Sequence, residues 1–407
     1  MMNKILIIIL LSTLIPFDSY ISFYGSGEKV SRLNPSSISL GWSKLFDSNI
    51  KNRIGSLSSF YQSDMVRISV ANDFNFNNVN DNLYFSQKLN YFSFLLPIKD
   101  FKSSIGFSLA PFYRINSNII ESDFSYISGN EDNPPYAYKT EYDFKGGPSI
   151  ASIMLSSVGF NINQLNLSWG IQLNYIFGSL SSHIIHSTYD VFYNQDGNIN
   201  TANQITDYYT TISSYDGYGF EMQFSLRNKK NEIVSSFNLV DNININYSFY
   251  DDIVPEALEL GVNPDEENNF KFSSPFEFNL GYSYTYNKQN VFVFEYYNYS
   301  PYDSDASFNL FNNSDVNKNK ISVGYYKSLL NDKLILSSGF YNIDTENNYL
   351  TSNKQGITLG LGVQSIDKFS IDICLEIGKN TVEINETLSE KYINLYLGLT
   401  SYDRWFK

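Results

Sequence analysis

Cysteine and histidine are nearly absent from this chain. The single thiol, Cys374, has no partner for an internal disulfide, and two histidines supply no zinc or iron–sulfur ligand set. Those two, His183 and His186, stand three apart. On a strand that spacing points them to opposite faces, so they make no paired metal site. Basic residues are few as well. The chain has 28 Lys and Arg against 42 Asp and Glu, a net charge of -14. A nucleic-acid binder needs a basic footprint, so nucleic acid is not expected as a partner. Long apolar runs are missing too. After Phe17 no stretch approaches the roughly 20 residues that a membrane helix requires.

The start of the chain reads as a leader. Lys4 supplies the positive region, and Ile5 to Phe17 form a short apolar core. The expected signal peptide covers about residues 1–22, with Ser19 and Ser22 as cleavage candidates. No cysteine follows it, which argues against a lipoprotein.

What the chain does have is aromatic residues and alternation. It carries 33 Tyr, 32 Phe and 3 Trp in 407 residues, with a mean hydropathy of only -0.25. That combination fits a barrel that shows lipid every second residue. It also fits a Tyr-rich soluble β-protein, so composition alone does not decide. The period-two pattern is sharper. Leu165, Leu167, Trp169, Ile171, Leu173, Tyr175 and Phe177 share one face, against Asn166, Ser168, Gly170, Gln172 and Asn174. Phe276, Phe278, Leu280, Tyr282, Tyr284 and Tyr286 alternate with Glu277, Asn279, Gly281, Ser283 and Thr285. Ile393, Leu395, Leu397 and Leu399 alternate with Asn394, Tyr396 and Gly398 near the C-terminus. A β-sandwich also alternates. Here the polar face is rich in Gly, Ser and Asn, and the apolar faces end in Tyr or Phe, as the aromatic girdles of a membrane barrel do.

Connection lengths alternate too. Lys379–Glu390, Asp344–Lys354, Pro301–Asn317 and Asp251–Ser274 read as long. Ile366-Asp367, Leu330–Asp332, Asn287–Gln289 and Asn228–Asn231 read as short. Long loops on one side and short turns on the other are the habit of transmembrane barrels. The expectation is an all-β chain: a transmembrane antiparallel β-barrel of about 14 strands, both termini on the short-turn side. Between Ser179 and Thr211 the pattern predicts two long strands meeting near Gln195-Asp196-Gly197. No second domain is marked.

Charged residues expected on interior faces are Arg67, Glu221, Arg227, Glu277, Glu295, Asp372 and Glu376. Paired carboxylates can serve as acid and base. Barrel interiors are normally charged, however. The expected role is therefore interior salt links, with Arg67 and Arg227 as the cations. No Ser/His/Asp constellation points to a hydrolase, and no enzyme activity, cofactor or metal is expected. Cys374 falls on the face of Asp372 and Glu376 and reads as a bystander.

Three places resemble the long-chain fatty-acid transporter (FadL-like) family of outer-membrane barrels, or a related PorV-like barrel. The first is Leu33-Asn34-Pro35-Ser36-Ser37-Ile38, similar to the family's Asn-Pro-Ala motif, with Ser36 in place of Ala. The second is Ser274-Pro275-Phe276-Glu277-Phe278-Asn279-Leu280-Gly281-Tyr282-Ser283-Tyr284 with the strand after it. The third is Lys320-Ile321-Ser322-Val323-Gly324-Tyr325-Tyr326 followed by Ser338-Gly339-Phe340-Tyr341. The resemblance implies an N-terminal hatch at about residues 23–62, shaped by Asn34 and Pro35, inside a barrel of residues 63–407. It implies outer-membrane lipid as surroundings, a hydrophobic small molecule as cargo, and Trp405 and Phe406 as an ending read by the barrel-assembly machinery. Lys407 after Phe406 departs from the usual final aromatic. The alternatives are a non-transporting barrel that partners in assembly or type IX secretion, and a secreted β-protein that binds glycans.

Overall fold

The computed structural model describes residues 28–29, 32–48, 56–79, 82–120, 125–127, 136–162, 164–193, 199–253, 262–273, 276–287, 289–300, 317–346, 351–365, 368–383 and 387–403. The expected leader and the terminal Trp405 and Phe406 lie outside these residues.

Fourteen antiparallel strands form one closed barrel. They are β1 (Val66–Val79), β2 (Asn82–Ile98), β3 (in pieces Ser103–Pro111, Tyr113–Ile120 and Ser125–Ile127), β4 (Tyr136–Ile162), β5 (Leu165–Tyr193), β6 (Ile199–Arg227) and β7 (Asn231–Asp251). There follow β8 (in pieces Glu266–Ser273 and Phe276–Asn287), β9 (Asn290–Ser300), β10 (Asn317–Leu329), β11 (Leu334–Glu346), β12 (Thr351–Gln364), β13 (Phe369–Glu383) and β14 (Thr387–Asp403). The last strand closes on the first, from Asp403↔Val66 to Glu390↔Val79. Closure removes the sheet edges that lipid cannot satisfy. Among the described residues no helix is long and apolar enough to cross a membrane; the crossing is made by strands.

Alternation sets the two faces. Along β12, Ile357, Leu359, Leu361 and Val363 point out and are exposed, while Thr358 and Gln364, of the opposite parity, are buried. The same belt runs through Leu280, Tyr282, Phe292, Phe294, Ile321, Val323, Ile371, Ile377, Ile393 and Leu399. These large apolar residues cluster on the outer surface of the molecule, where lipid covers them.

Two departures from the expected layout have physical causes. Lys379–Glu390 and Asp344–Lys354 are not loops for most of their length. β13 runs to Glu383 and β14 starts at Thr387; β11 runs to Glu346 and β12 starts at Thr351. Above the lipid belt both faces of a strand turn polar, so the sequence there looks like loop. β4, β5 and β6 reach 27, 29 and 29 residues. About 9–11 residues suffice to cross a bilayer, so these three project far beyond it. The two long strands expected between Ser179 and Thr211 are present, and their tip lies outside the described residues.

The projecting part also inverts the pattern. On β7 a bulge between Asn238 and Val240 shifts the strand by one residue. Below it Ser236 and Asn238 face inward; above it Ile243 and Ile245 do, and Asn244 and Asn246 face out. A one-residue slip exchanges the two faces. On β7 the membrane zone is thus apolar outside and polar inside, and the stretch above the bulge is the reverse.

Candidate functional site

The barrel interior is occupied by the chain's own N-terminal part. Residues 33–48 lie against the inward faces of the strands, with a short helix, α1 (Pro35–Ile38), at their start. Pro35 sits at the first helical position, where a missing N–H costs nothing. Asn34 accepts the first turn through its carbonyl, from Ser37 and Ile38 N–H, and its Nδ2 donates to Ser36 Oγ at 2.6 Å. A 3-10 turn, Leu57–Gln62, follows and packs against β4, β5 and β6.

Small residues on the inward faces make room for this segment. A Cβ on Gly324 would stand 2.8 Å from the Leu40 carbonyl oxygen, and one on Gly339 would collide with the Gly41 amide. Gly281, Gly360 and Gly398 are similarly crowded by Phe46, Ser39 and Pro35. The glycines of the polar faces are therefore a track for the inserted chain. Gly41 itself sits at φ +78°, where a side chain is disfavoured.

Three carboxylate stations hold the segment. Glu295 on β9 is fully buried. It accepts from Ser43 Oγ at 2.7 Å, Lys44 N at 2.9 Å and Leu45 N at 3.0 Å, and pairs with Lys320 Nζ of β10 at 3.0 Å. Lys320 also donates to the Trp42 carbonyl at 2.5 Å. Glu221 of β6 and Glu277 of β8 flank β7 and share Lys44 Nζ, at 3.0 and 3.5 Å. Glu376 of β13 accepts from Trp42 Nε1 at 2.8 Å, from Asn394 Nδ2 at 2.9 Å, and from the hydroxyls of Tyr341 and Tyr396. Lys354 covers the faces of Trp42 and Tyr392 at 5.3 and 4.9 Å.

For Glu221, Glu277 and Glu295 the structure differs from the expected pairing with Arg67 and Arg227: their cations are Lys44 and Lys320. Glu376 is met by neutral donors. Arg227 stands half-exposed at the short-turn mouth, 4.0 Å from Glu232, and Arg67 lies over the Tyr402 ring. Asp372 is buried on β13 nearer the short-turn end. No strand parity points to Lys44, because it precedes the first strand and belongs to no periodic pattern. The histidines lie on β5, His183 bonded to Thr210 and Ser181, His186 to Thr140.

The inserted residues also bring apolar contacts. Leu40, Leu45 and Phe46 join Val234, Val291, Val293, Tyr326 and Ile335 in one cluster. Leu57 and Phe60 join Leu95 and Met154 in another. A further cluster is built by the wall alone: Ala71, Tyr91, Ala110, Phe112, Ile150, Ile176, Ile243 and Ile245, with Tyr215 and Phe270 packed on it. Ile243 and Ile245 come from the inverted stretch of β7, while Ala71 is paired with Gly398, which lies against Asn34 and Pro35 of the inserted segment.

Beside that wall cluster the barrel has a seam. Among the described residues β2 and β3 pair only from Ile98↔Ser103 to Phe92↔Leu109. Further up, Asn82 to Tyr91 pair with β1 alone. The second piece of β3 turns to β4, resuming at Ile115↔Gly146, where Gly146 takes φ +106°. On its other side Tyr113 and Arg114 pair with Lys29 and Glu28. The N-terminal part thus touches the seam before it enters the lumen. Tyr91, Ala110 and Phe112 of the wall cluster stand at the seam's lower end. At the short-turn end a cavity of 440 Å³ lies beneath the 3-10 turn, bordered by Tyr61, Gln62, Pro97, Lys99 and Lys102.

Solved structures share this architecture. The chain is similar to the Pseudomonas putida toluene transporter TodX (11% identity, 93% of this chain and 100% of that one, TM-score 0.52). It is similar to a Pseudomonas aeruginosa FadL homologue (12%, 91% and 98%, TM-score 0.53). It is also similar to the CymD monoaromatic hydrocarbon channel (11%, 92% and 98%, TM-score 0.51). At such identities the likeness is one of fold. No protein of curated function matches the sequence. The model of one family, described as BamG, matches residues 1–407.

Proposed function

The chain belongs to the BamG family, and with that membership and the fold as premises we propose that it is an outer-membrane barrel that passes hydrophobic small molecules. The observation that carries this reading is the wall cluster of Tyr91, Ala110, Phe112, Ile150 and Ile176 standing beside the seam where, among the described residues, the ladder between β2 and β3 stops. An apolar molecule entering from the projecting end meets apolar side chains there. Below, it meets a polar, occupied lumen, and the seam is the way out. The segment from Asn34 and Pro35 to Asp47 acts as the hatch, held by Glu295, Glu376, Glu221 and Glu277. The similar structures include a toluene transporter and a monoaromatic hydrocarbon channel, which supports aromatic hydrocarbons as the cargo class. Uptake of toluene and of a long-chain fatty acid into vesicles carrying the full chain tests this. A rate above that of empty vesicles is expected; equal rates refute it.

The family's name favours a second reading, a barrel associated with the barrel-assembly machinery that transports nothing. The three carboxylate stations agree with it, because they hold the lumen shut. Co-isolation with the assembly machinery from native membranes, together with no uptake in vesicles, is the outcome this reading expects.

A further inference from the structure

The outer surface carries a feature that neither reading uses. Lys379 of β13 and Lys391 of β14 are direct cross-strand partners. Both belong to the outward set: Ile377 and Ile393, two residues closer to the membrane centre on the same faces, are paired with each other and half exposed. The next strands continue both rows. Gln355 is paired with Lys379, and Asn78 with Lys391. Ile357 and Phe76 extend the apolar row beneath. The row Gln355, Lys379, Lys391, Asn78 is therefore the first polar row above the lipid belt, at the end opposite the termini.

Two like charges directly opposite on adjacent strands are destabilising. A chain with a net charge of -14 has carboxylates to spare, yet none among the described residues is placed to neutralise this pair. Glu376 on β13 faces inward and is buried, and so does Glu390 on β14. Glu383 stands two outward rows higher, against Thr351, and Asp344 is engaged by Asn342 and Asn353. Both lysines are exposed, with no ion pair among the described residues. Their apolar stems lie along the belt while the ammonium groups reach the headgroup level. A phosphate between them would satisfy both charges at once.

We infer that Lys379 and Lys391 form a binding site for the phosphate of a lipid headgroup in the leaflet at the projecting end. In an outer membrane, where the proposed function places the chain, that leaflet holds lipopolysaccharide, and lipid A phosphate is the ligand. The inference rests on that location but not on transport or assembly. The test uses the full chain in neutral detergent, with bisphosphorylated lipid A and its dephosphorylated form as probes, read by native mass spectrometry. Wild type retains the phosphorylated form and not the other. Lys379→Gln with Lys391→Gln weakens retention at least tenfold, while Lys333→Gln with Lys368→Gln, at the opposite rim, leaves it unchanged. Millimolar inorganic phosphate does not displace the lipid. A second readout needs no lipid. In phosphate-free detergent the single Lys379→Gln chain unfolds at a higher temperature than wild type, and lipid A reverses the order. Equal retention by the double variant, equal retention of the dephosphorylated lipid, or displacement by free phosphate overturns the inference. A failed uptake assay leaves these results untouched.

Discussion

Glu295→Ala is the most informative single perturbation. The carboxylate is fully buried and serves four donors, three of them on the inserted segment. Its loss leaves Lys320 Nζ without its anion and two backbone amides without an acceptor. Removing one member of a buried, hydrogen-bonded pair costs about 3–5 kcal/mol. The barrel wall keeps its ladder hydrogen bonds, because Glu295 contributes to them only through its backbone, paired with Gly281 and Ser322. The cost therefore falls on the segment's seat in the lumen. At about 1.4 kcal/mol per tenfold, release of the segment rises roughly 100- to 4,000-fold. The reporter is Ser37→Cys in a Cys374→Ala background. Ser37 is fully buried and its Oγ has no hydrogen-bond partner, so a thiol there disturbs little. The assay is the rate of maleimide labelling in detergent, with heat-modifiable gel mobility as the check that the barrel is intact. Glu295→Gln keeps the volume and an acceptor and should fall between wild type and Ala. An unchanged labelling rate in an intact Glu295→Ala barrel would refute the claim that this carboxylate seats the segment.

Gly339→Ala should displace the segment by collision with Gly41, raising the same labelling rate while gel mobility stays that of a folded barrel. Lys44→Met should leave Glu221 and Glu277 without their shared cation; a loss of about 1–3 kcal/mol in urea unfolding is expected, and the further substitution Glu221→Gln should recover part of it. Ala110→Trp should fill the wall cluster and reduce toluene uptake at least tenfold without changing Ser37→Cys labelling; uptake equal to wild type would place the passage elsewhere.

Much of the architecture is readable from residue order. Period-two faces such as Ile357 to Val363 fix the strands, because every second residue must satisfy lipid. The strand count follows from their number, and evenness follows from shared sidedness of the termini. The projecting hairpins were harder. Residues such as Lys379, Thr381 and Ser389 are polar where lipid ends, and a polar strand in water resembles a loop. The inverted zone depends on a bulge at Asn238, and one extra residue in a ladder leaves no mark on composition. The carboxylates on interior faces were legible one by one through their strand parity. Their cations were not: Lys44 acts from outside the sheet, and contact across a lumen has no sequence spacing. Nor does the seam announce itself. Asn82 to Tyr91 read as an ordinary strand, and only the registers of both neighbours reveal that, among the described residues, the ladder to β3 ends at Phe92.

The central claim is that apolar molecules leave through the seam between β2 and β3. Vesicles carrying the chain with Lys88→Cys and Tyr113→Cys, in a Cys374→Ala background, allow the seam to be bridged by a cleavable bifunctional maleimide. Toluene uptake should exceed that of empty vesicles before bridging, fall to their level after it, and return when the linker is cleaved. Uptake that ignores the bridge, or never exceeds that of empty vesicles, would contradict the claim.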